Sequence, residues 1–189
     1  FNARSVIDGV SLSSRESIGT EIAVPYLTLY DDAIHPSNIH SSSFDGEGTP
    51  TRKLRLIHQG KLEGFLHSES TAKEFGVKPT GHAGLGAKVS VGPDWFVASR
   101  SESEYNGNNS INHKTYKEKF IMIEGLSALH AGVKASQGSF SLPFNGWLVD
   151  QGEMISIEAA TVAGDIRTVL KNIIQIEDDQ EITHQGISP

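Results

Sequence analysis

Apolar and polar positions alternate with a period of two through much of this chain, the spacing of strands with one covered face. Lys53-Leu54-Arg55-Leu56-Ile57-His58 runs into Gln59-Gly60, and Lys61-Leu62-Glu63-Gly64-Phe65-Leu66 returns, so residues 53 to 66 predict a β-hairpin. A second hairpin is predicted from Ser139 to Val149, through Asp150-Gln151-Gly152, to Glu153–Ile157. Residues 22 to 30, with Pro25 inside them, predict an edge strand closed by Asp31-Asp32, because proline donates no backbone hydrogen bond. Phe120–Ile123 reads as a short buried strand.

The period changes near the C-terminus. Ile166, Val169, Leu170, Ile173 and Ile174 recur at helical spacing and form one apolar stripe, with Asp165 placed where a helix dipole favours an anion. Ser70–Phe75 predicts a short helix stopped by Gly76. Residues 33 to 51 and 101 to 118 are polar and aperiodic, and read as loops. The expected class is α+β: mainly antiparallel β-hairpins with one long C-terminal helix and a short helix, in a single domain covering residues 1–189. Strands do not alternate regularly with helices, which argues against a doubly wound parallel sheet.

Composition narrows the function. The 189 residues carry a formal net charge of −7, which disfavours a nucleic-acid surface. One basic stretch, Arg52, Lys53, Arg55 and Lys61, falls on the first hairpin and reads as a solvated strand face. No cysteine is present, so disulfides, thiol catalysis and Cys-based zinc sites are excluded from the chain. No apolar run is long enough to span a membrane. Asn108-Asn109-Ser110 is a formal glycosylation sequon. An abrupt start at Phe1 and a stop at Gly186-Ile187-Ser188-Pro189 give the expectation of a fragment from a longer protein.

The eight histidines raise the question of a metal. His35 and His40 flank Pro36, which argues against the helical pair a zinc site uses, and they read as surface residues. His58 and His67 do not face each other across the first hairpin, and His130 reads as a residue for packing or a local hydrogen bond. His82 stands out because it lies within the glycine-rich run Thr80-Gly81-His82-Ala83-Gly84-Leu85-Gly86, which matches neither a phosphate loop nor a dinucleotide fingerprint. Its glycines would let backbone amides approach a bound group. Asp45 and Glu47 are a carboxylate pair that either serves acid–base chemistry or organises a turn. No Gly-x-Ser-x-Gly elbow occurs.

Several stretches, in order, resemble one family. They are Ser43-Phe44-Asp45-Gly46-Glu47-Gly48-Thr49-Pro50-Thr51-Arg52, then Gly60–Leu66, Ser70–Lys73 and Lys78-Pro79-Thr80-Gly81-His82-Ala83-Gly84. Gly138–Pro143, Gly146-Trp147-Leu148, Thr161–Asp165 and Lys171-Asn172-Ile173 follow. The series is similar to the C-terminal domain of PmbA/TldD proteins, also labelled modulators of DNA gyrase. The resemblance implies a cytoplasmic zinc-peptidase system that pairs a TldD-type with a PmbA (TldE)-type subunit. The TldD type bears a His-Glu-x-x-x-His helix and a cysteine near the C-terminus. This sequence has no His-Glu pair and no cysteine.

The resemblance therefore implies the PmbA type: an accessory domain for dimerisation and peptide-cleft formation, with no catalytic residue and no metal of its own. Zinc is expected in a TldD-type partner. Implied partners are that subunit or a second copy, and an extended or unfolded peptide, with no nucleic acid and no membrane. Asp45, Glu47, Thr49, Thr51, Thr80, Gly81, His82 and Gly84 are the candidate substrate or interface residues. Two alternatives stay open: an active metallopeptidase whose motif precedes this region, and a gyrase-modulating interaction module. Were zinc to be held here, His35, His40 and His82 would be the first ligands to test.

Overall fold

Both hairpins turn on a Gln-Gly pair with positive φ at each residue: Gln59 at 48° and Gly60 at 75°, then Gln151 at 50° and Gly152 at 89°. This turn matches the right-handed twist of the strands that flank it. Gly60 has a second reason to be glycine, since a Cβ there would meet the Ala23 carbonyl oxygen at 2.4 Å.

The computed structural model describes residues 1–101, 119–176, 181–183 and 186–188. In chain order the elements are α1 (Ala3–Ile7), β1 (Leu27–Asp32), β2 (Lys53–His58), β3 (Lys61–Leu62), α2 (Glu69–Phe75), β4 (Ala83–Gly84), β5 (Ser90–Val91) and β6 (Phe96–Arg100). After them come β7 (Phe120–Leu126), α3 (Leu129–Gly132), β8 (Val133–Lys134), β9 (Ser139–Asp150), β10 (Glu153–Asp165), α4 (Ile166–Lys171), β11 (Glu181–Thr183) and β12 (Gly186–Ser188). Two compact units result: Phe1–Glu104 with Leu170–Pro189, and Tyr105–Val169. The loop expected over 101 to 118 and its sequon lie outside the described residues, apart from Ser101.

The first unit is built on a sheet of order β11-β12-β6-β1-β2-β3, antiparallel except for the parallel pair β12–β6. Successive residues Leu56 and Ile57 on β2 are both buried, so this strand is covered on both faces. Leu56 packs with Leu66 and Val91, while Ile57 joins Ala23, Val24, Leu27 and Ile176. The strand expected at 22 to 30 begins only at Leu27 and is not an edge: β1 lies between β6 and β2. Pro25 falls in the turn before it, so its missing N–H disturbs no ladder. The short helix is as expected, with Ser68 capping its start and Gly76 closing it at φ 69°.

The second unit is a sheet of order β10-β9-β7, with β8 also on β9. Its long hairpin pairs Asp150 with Glu153 and continues to Ser139 with Asp165, interrupted by a bulge between Ile157 and Ala160. The strand expected to be buried at Phe120–Ile123 is not: within β7, Ile121 and Ile123 are exposed.

The long C-terminal helix is replaced by one of six residues, α4. Strand pairing carries β10 through to Asp165, and the chain leaves helical geometry after Lys171. Tertiary partners take the carbonyls there: Val24 N–H donates to Leu170 O at 3.0 Å, and the Tyr26 hydroxyl donates to Ile173 O. Leu170 and Ile173 do pack on the core, but Ile174 is 86% exposed. Asp165 acts as the helix-starting anion, accepting from the Arg167 and Thr168 N–H groups at 2.9 and 3.3 Å.

Candidate functional site

Two loops of the first unit meet edge to edge. Asp45 Oδ1 accepts the N–H of Glu47 and of Thr49, each at 2.9 Å, which closes its own loop as a carboxylate-organised turn. Its second oxygen, Oδ2, reaches across to accept the Ala83 N–H at 3.0 Å, and Gly46 N–H returns the contact to Ala83 O at 2.7 Å. The approach demands glycine on both sides. A Cβ on Gly46 would lie 2.9 Å from Ala83 O, and one on Gly81 would lie 2.6 Å from Pro50 O, where φ is also +82°. The structure therefore brings Asp45, Glu47, Thr49 and Thr51 beside Gly81, His82 and Gly84.

The remaining contacts anchor this pair of loops. Glu47 Oε2 accepts the Glu69 N–H at 2.8 Å, at the start of α2. The Thr51 hydroxyl donates to Ser42 O. Thr80 is buried and exchanges two bonds with His67, accepting its N–H at 2.7 Å and donating to its carbonyl at 3.1 Å. Burial lowers the pKa of the His67 imidazole. Two of the four residues of the basic stretch nearby are ion-paired: Arg55 with Glu63, and Lys53 with Asp32 at 3.4 Å.

His82 is buried behind the loops. Its Nδ1 contacts Thr80 Oγ1 at 2.9 Å, while Nε2 has no hydrogen-bond partner. Nε2 lies 3.7 Å from Asp31 Oδ1 and 3.8 Å from Asp94 Oδ2. Asp31 is wholly buried and accepts the N–H groups of Asp94 and Trp95 at 3.0–3.2 Å. The Asp94 side chain is 40% exposed. Burial pushes its carboxyl up from the usual carboxylate range; the neighbouring His82 opposes this, and Asp31 and Asp45 add to it. Asp94, His82, Asp45, Thr51, Ser42 and Phe44 help line a cavity of about 270 Å³.

Asp31, His82 and Asp94 are the group of imidazole and carboxylate donors close enough to share an ion among the described residues. His35 instead stacks on Trp95 at 4.6 Å, and His40 is exposed. Sequence reasoning found His82 and missed both aspartates. Asp31-Asp32 read as a strand terminator, yet two carboxylates directly after an apolar strand were the available signal. Asp94 follows Gly92-Pro93 and carried no local signal at all.

With this geometry in view, the comparisons with known proteins decide the family. Residues 1–189 match the model of the PmbA/TldA metallopeptidase C-terminal domain. The chain belongs to the PmbA/TldD family. It is a C-terminal domain of that family. It is 27% identical to metalloprotease PmbA of Escherichia coli O157:H7 over 88% of this chain and 34% of that protein. A Thermotoga maritima protein, described as a candidate modulator of a DNA gyrase, has a solved structure that superposes with a TM-score of 0.82 at 27% identity, covering 100% of this chain and 42% of that one. TldE of Thermococcus kodakarensis shares the fold with a TM-score of 0.80 at 23% identity, covering 100% of this chain and 43% of that chain. The chain thus spans about a third of the length of the PmbA relative it matches. The PmbA/TldD zinc pattern expected of a TldD-type subunit, His-Glu-x-x-x-His with a later Cys, has no counterpart in this sequence. No helix among the described residues is long and apolar enough to cross a membrane.

Proposed function

We propose that this chain is the accessory C-terminal domain of a PmbA/TldE-like subunit in a cytoplasmic TldD/TldE-type zinc metallopeptidase that processes or degrades peptides. The observation that carries the reading is the match of its whole length to a metallopeptidase C-terminal domain. In this reading the catalytic zinc sits on a TldD-type partner, and this chain supplies none of its ligands. The chain shapes the cleft and the subunit interface. Two features support that role. The Asp45 and His82 loops frame a cavity with glycine backbone at its wall. The outer strands β7 and β10 of the second unit have no further strand beside them among the described residues, so either edge can accept an extended peptide through backbone hydrogen bonds.

The test is peptide cleavage by the full-length protein with and without a TldD-type subunit, with zinc measured on each. Cleavage that needs both subunits supports the reading. Cleavage by the full-length protein alone would establish the active-metallopeptidase alternative. A gyrase-modulating role has as its support the description of the Thermotoga maritima relative, and a pull-down with gyrase at graded salt tests it. The net charge of −7 gives such a role no electrostatic help with DNA.

A further inference from the structure

The proton on His82 can be placed from its neighbours. A threonine hydroxyl has one proton to give. Thr80 donates that proton to His67 O at 3.1 Å, so its 2.9 Å contact with His82 Nδ1 is one it accepts. Nδ1 therefore carries the hydrogen, and in a neutral imidazole Nε2 is a bare lone pair. That lone pair is buried without a partner and faces two carboxylate oxygens, at 3.7 and 3.8 Å. Asp31 Oδ1 already accepts the Asp94 and Trp95 N–H groups and Asp94 is partly exposed, so the Nε2 lone pair is the buried atom left without a counterpart, and a cation placed between it and the two carboxylates would satisfy it. These separations exceed the range of a direct hydrogen bond. They suit an ion between the atoms, because metal–ligand bonds of about 2.0–2.2 Å hold neighbouring donors roughly 3–4 Å apart.

We propose that Asp31, His82 and Asp94 hold a divalent first-row metal ion, zinc or manganese, at the wall of the 270 Å³ cavity. The imidazole favours such an ion over magnesium or calcium, which take oxygen donors. The supports that a metal site needs around its ligands are in place. The Thr80 hydroxyl orients the ring, and the backbone N–H groups of Asp94 and Trp95 hold the Asp31 carboxylate. Asp94, half-exposed, is the ligand through which the ion meets the cavity and keeps open positions for water or a peptide carbonyl. The sequence expectation of no metal rested on the missing cysteine and helical His pair, and neither bears on a site built from two aspartates and one histidine. This site shares no residue with a TldD-type zinc pattern, and its occupancy does not depend on the peptidase reading.

The test strips the full-length protein with a chelator, then titrates zinc chloride and manganese chloride separately against wild type, Asp94→Asn and His82→Gln. Asp94→Asn is the variant that keeps the fold, because Asp94 is half-exposed and its backbone N–H, not its carboxylate, binds Asp31. Wild type should bind one equivalent more than Asp94→Asn, or bind it at least about 10-fold more tightly. Its thermal midpoint should rise with the ion while that of Asp94→Asn does not. Equal binding by wild type and Asp94→Asn with either ion overturns the proposal. So does nitrogen-15 NMR at neutral pH showing both His82 ring nitrogens protonated in the presence of excess ion, since a proton would then supply the charge.

Discussion

Removing the Asp45 carboxylate tests whether the two glycine loops are held together as the geometry says. Asp45→Ala deletes three acceptor contacts, to Glu47, Thr49 and Ala83, at 2.9, 2.9 and 3.0 Å. Hydrogen bonds to a charged group contribute about 1.5–3 kcal/mol each when fully buried. Asp45 is only half-buried, so water replaces part of what is lost, and the expected cost is about 3 kcal/mol in all. Asp45→Asn keeps one oxygen but places an amide donor against a backbone donor, at about 1–2 kcal/mol. At roughly 2–4 °C per kcal/mol for a chain of this size, the alanine variant should lower the thermal midpoint by about 6–12 °C and the asparagine variant by about half as much. Calorimetry reads the midpoints, and hydrogen exchange reads the three amides, which should lose protection together. A loss under about 1 kcal/mol for Asp45→Ala, with the Ala83 amide still protected, would refute the idea that this carboxylate joins the loops.

Gly81→Ala combines a left-handed backbone with a Cβ 2.6 Å from Pro50 O, so denaturant unfolding should show a loss of about 2–4 kcal/mol; a loss below 1 kcal/mol would mean the loops do not approach so closely. The lowered pKa of His67, caused chiefly by burial, means that the unfolded chain takes up its proton first. Stability from this group is therefore full above the unfolded value of 6.5 and is lost as pH falls through the lower folded value, so unfolding between pH 8 and pH 5 should show a decline that His67→Gln flattens. Ile176→Ala should cost about 2–4 kcal/mol because Ile176 is in the core, whereas Ile174→Ser should change stability by less than about 0.5 kcal/mol; equal losses would mean that Ile174 is buried as well.

What the sequence made legible was local chemistry with a local outcome. The Gln-Gly turns, the Gly76 helix stop and the Asp165 anion each depend on a few neighbouring residues, and each forms as read. The periodic readings fared less well wherever a distant segment competed. Ile166 to Ile174 has helical spacing, yet pairing of Asp165 with Ser139 and the hydrogen bonds from Val24 and Tyr26 end the helix at Lys171. Leu56 and Ile57 break the alternation because a second layer covers the other face of β2, and no count along one strand reveals a second layer.

The candidate site follows the same division, and this explains which half of it was visible. Asp45 and His82 sit among glycines that the close approach of two backbones requires, so their loops carry a compositional mark even before the loops are known to meet. Asp31 carries only its place beside Asp32 after an apolar run and Asp94 carries no mark, because their role comes from convergence: Asp31 lies near the end of a central strand, and its carboxylate captures the Asp94 and Trp95 amides 63 and 64 residues away. That capture fixes the turn before β6 and delivers the Asp94 side chain to His82. An Asp31→Asn substitution separates the two duties of the carboxylate. Rotated either way, the amide keeps one oxygen for these N–H groups but turns its NH₂ toward another donor or toward His82, so the turn should weaken by about 1–3 kcal/mol. The charge that faces Nε2 is removed in either orientation. If the turn is the sole duty of Asp31, zinc titrated against the chelator-stripped full-length protein should bind the variant as it binds wild type. Binding weakened at least about 10-fold while the Trp95 amide remains protected would show that the carboxylate also acts beside the imidazole, as convergence of the three side chains requires.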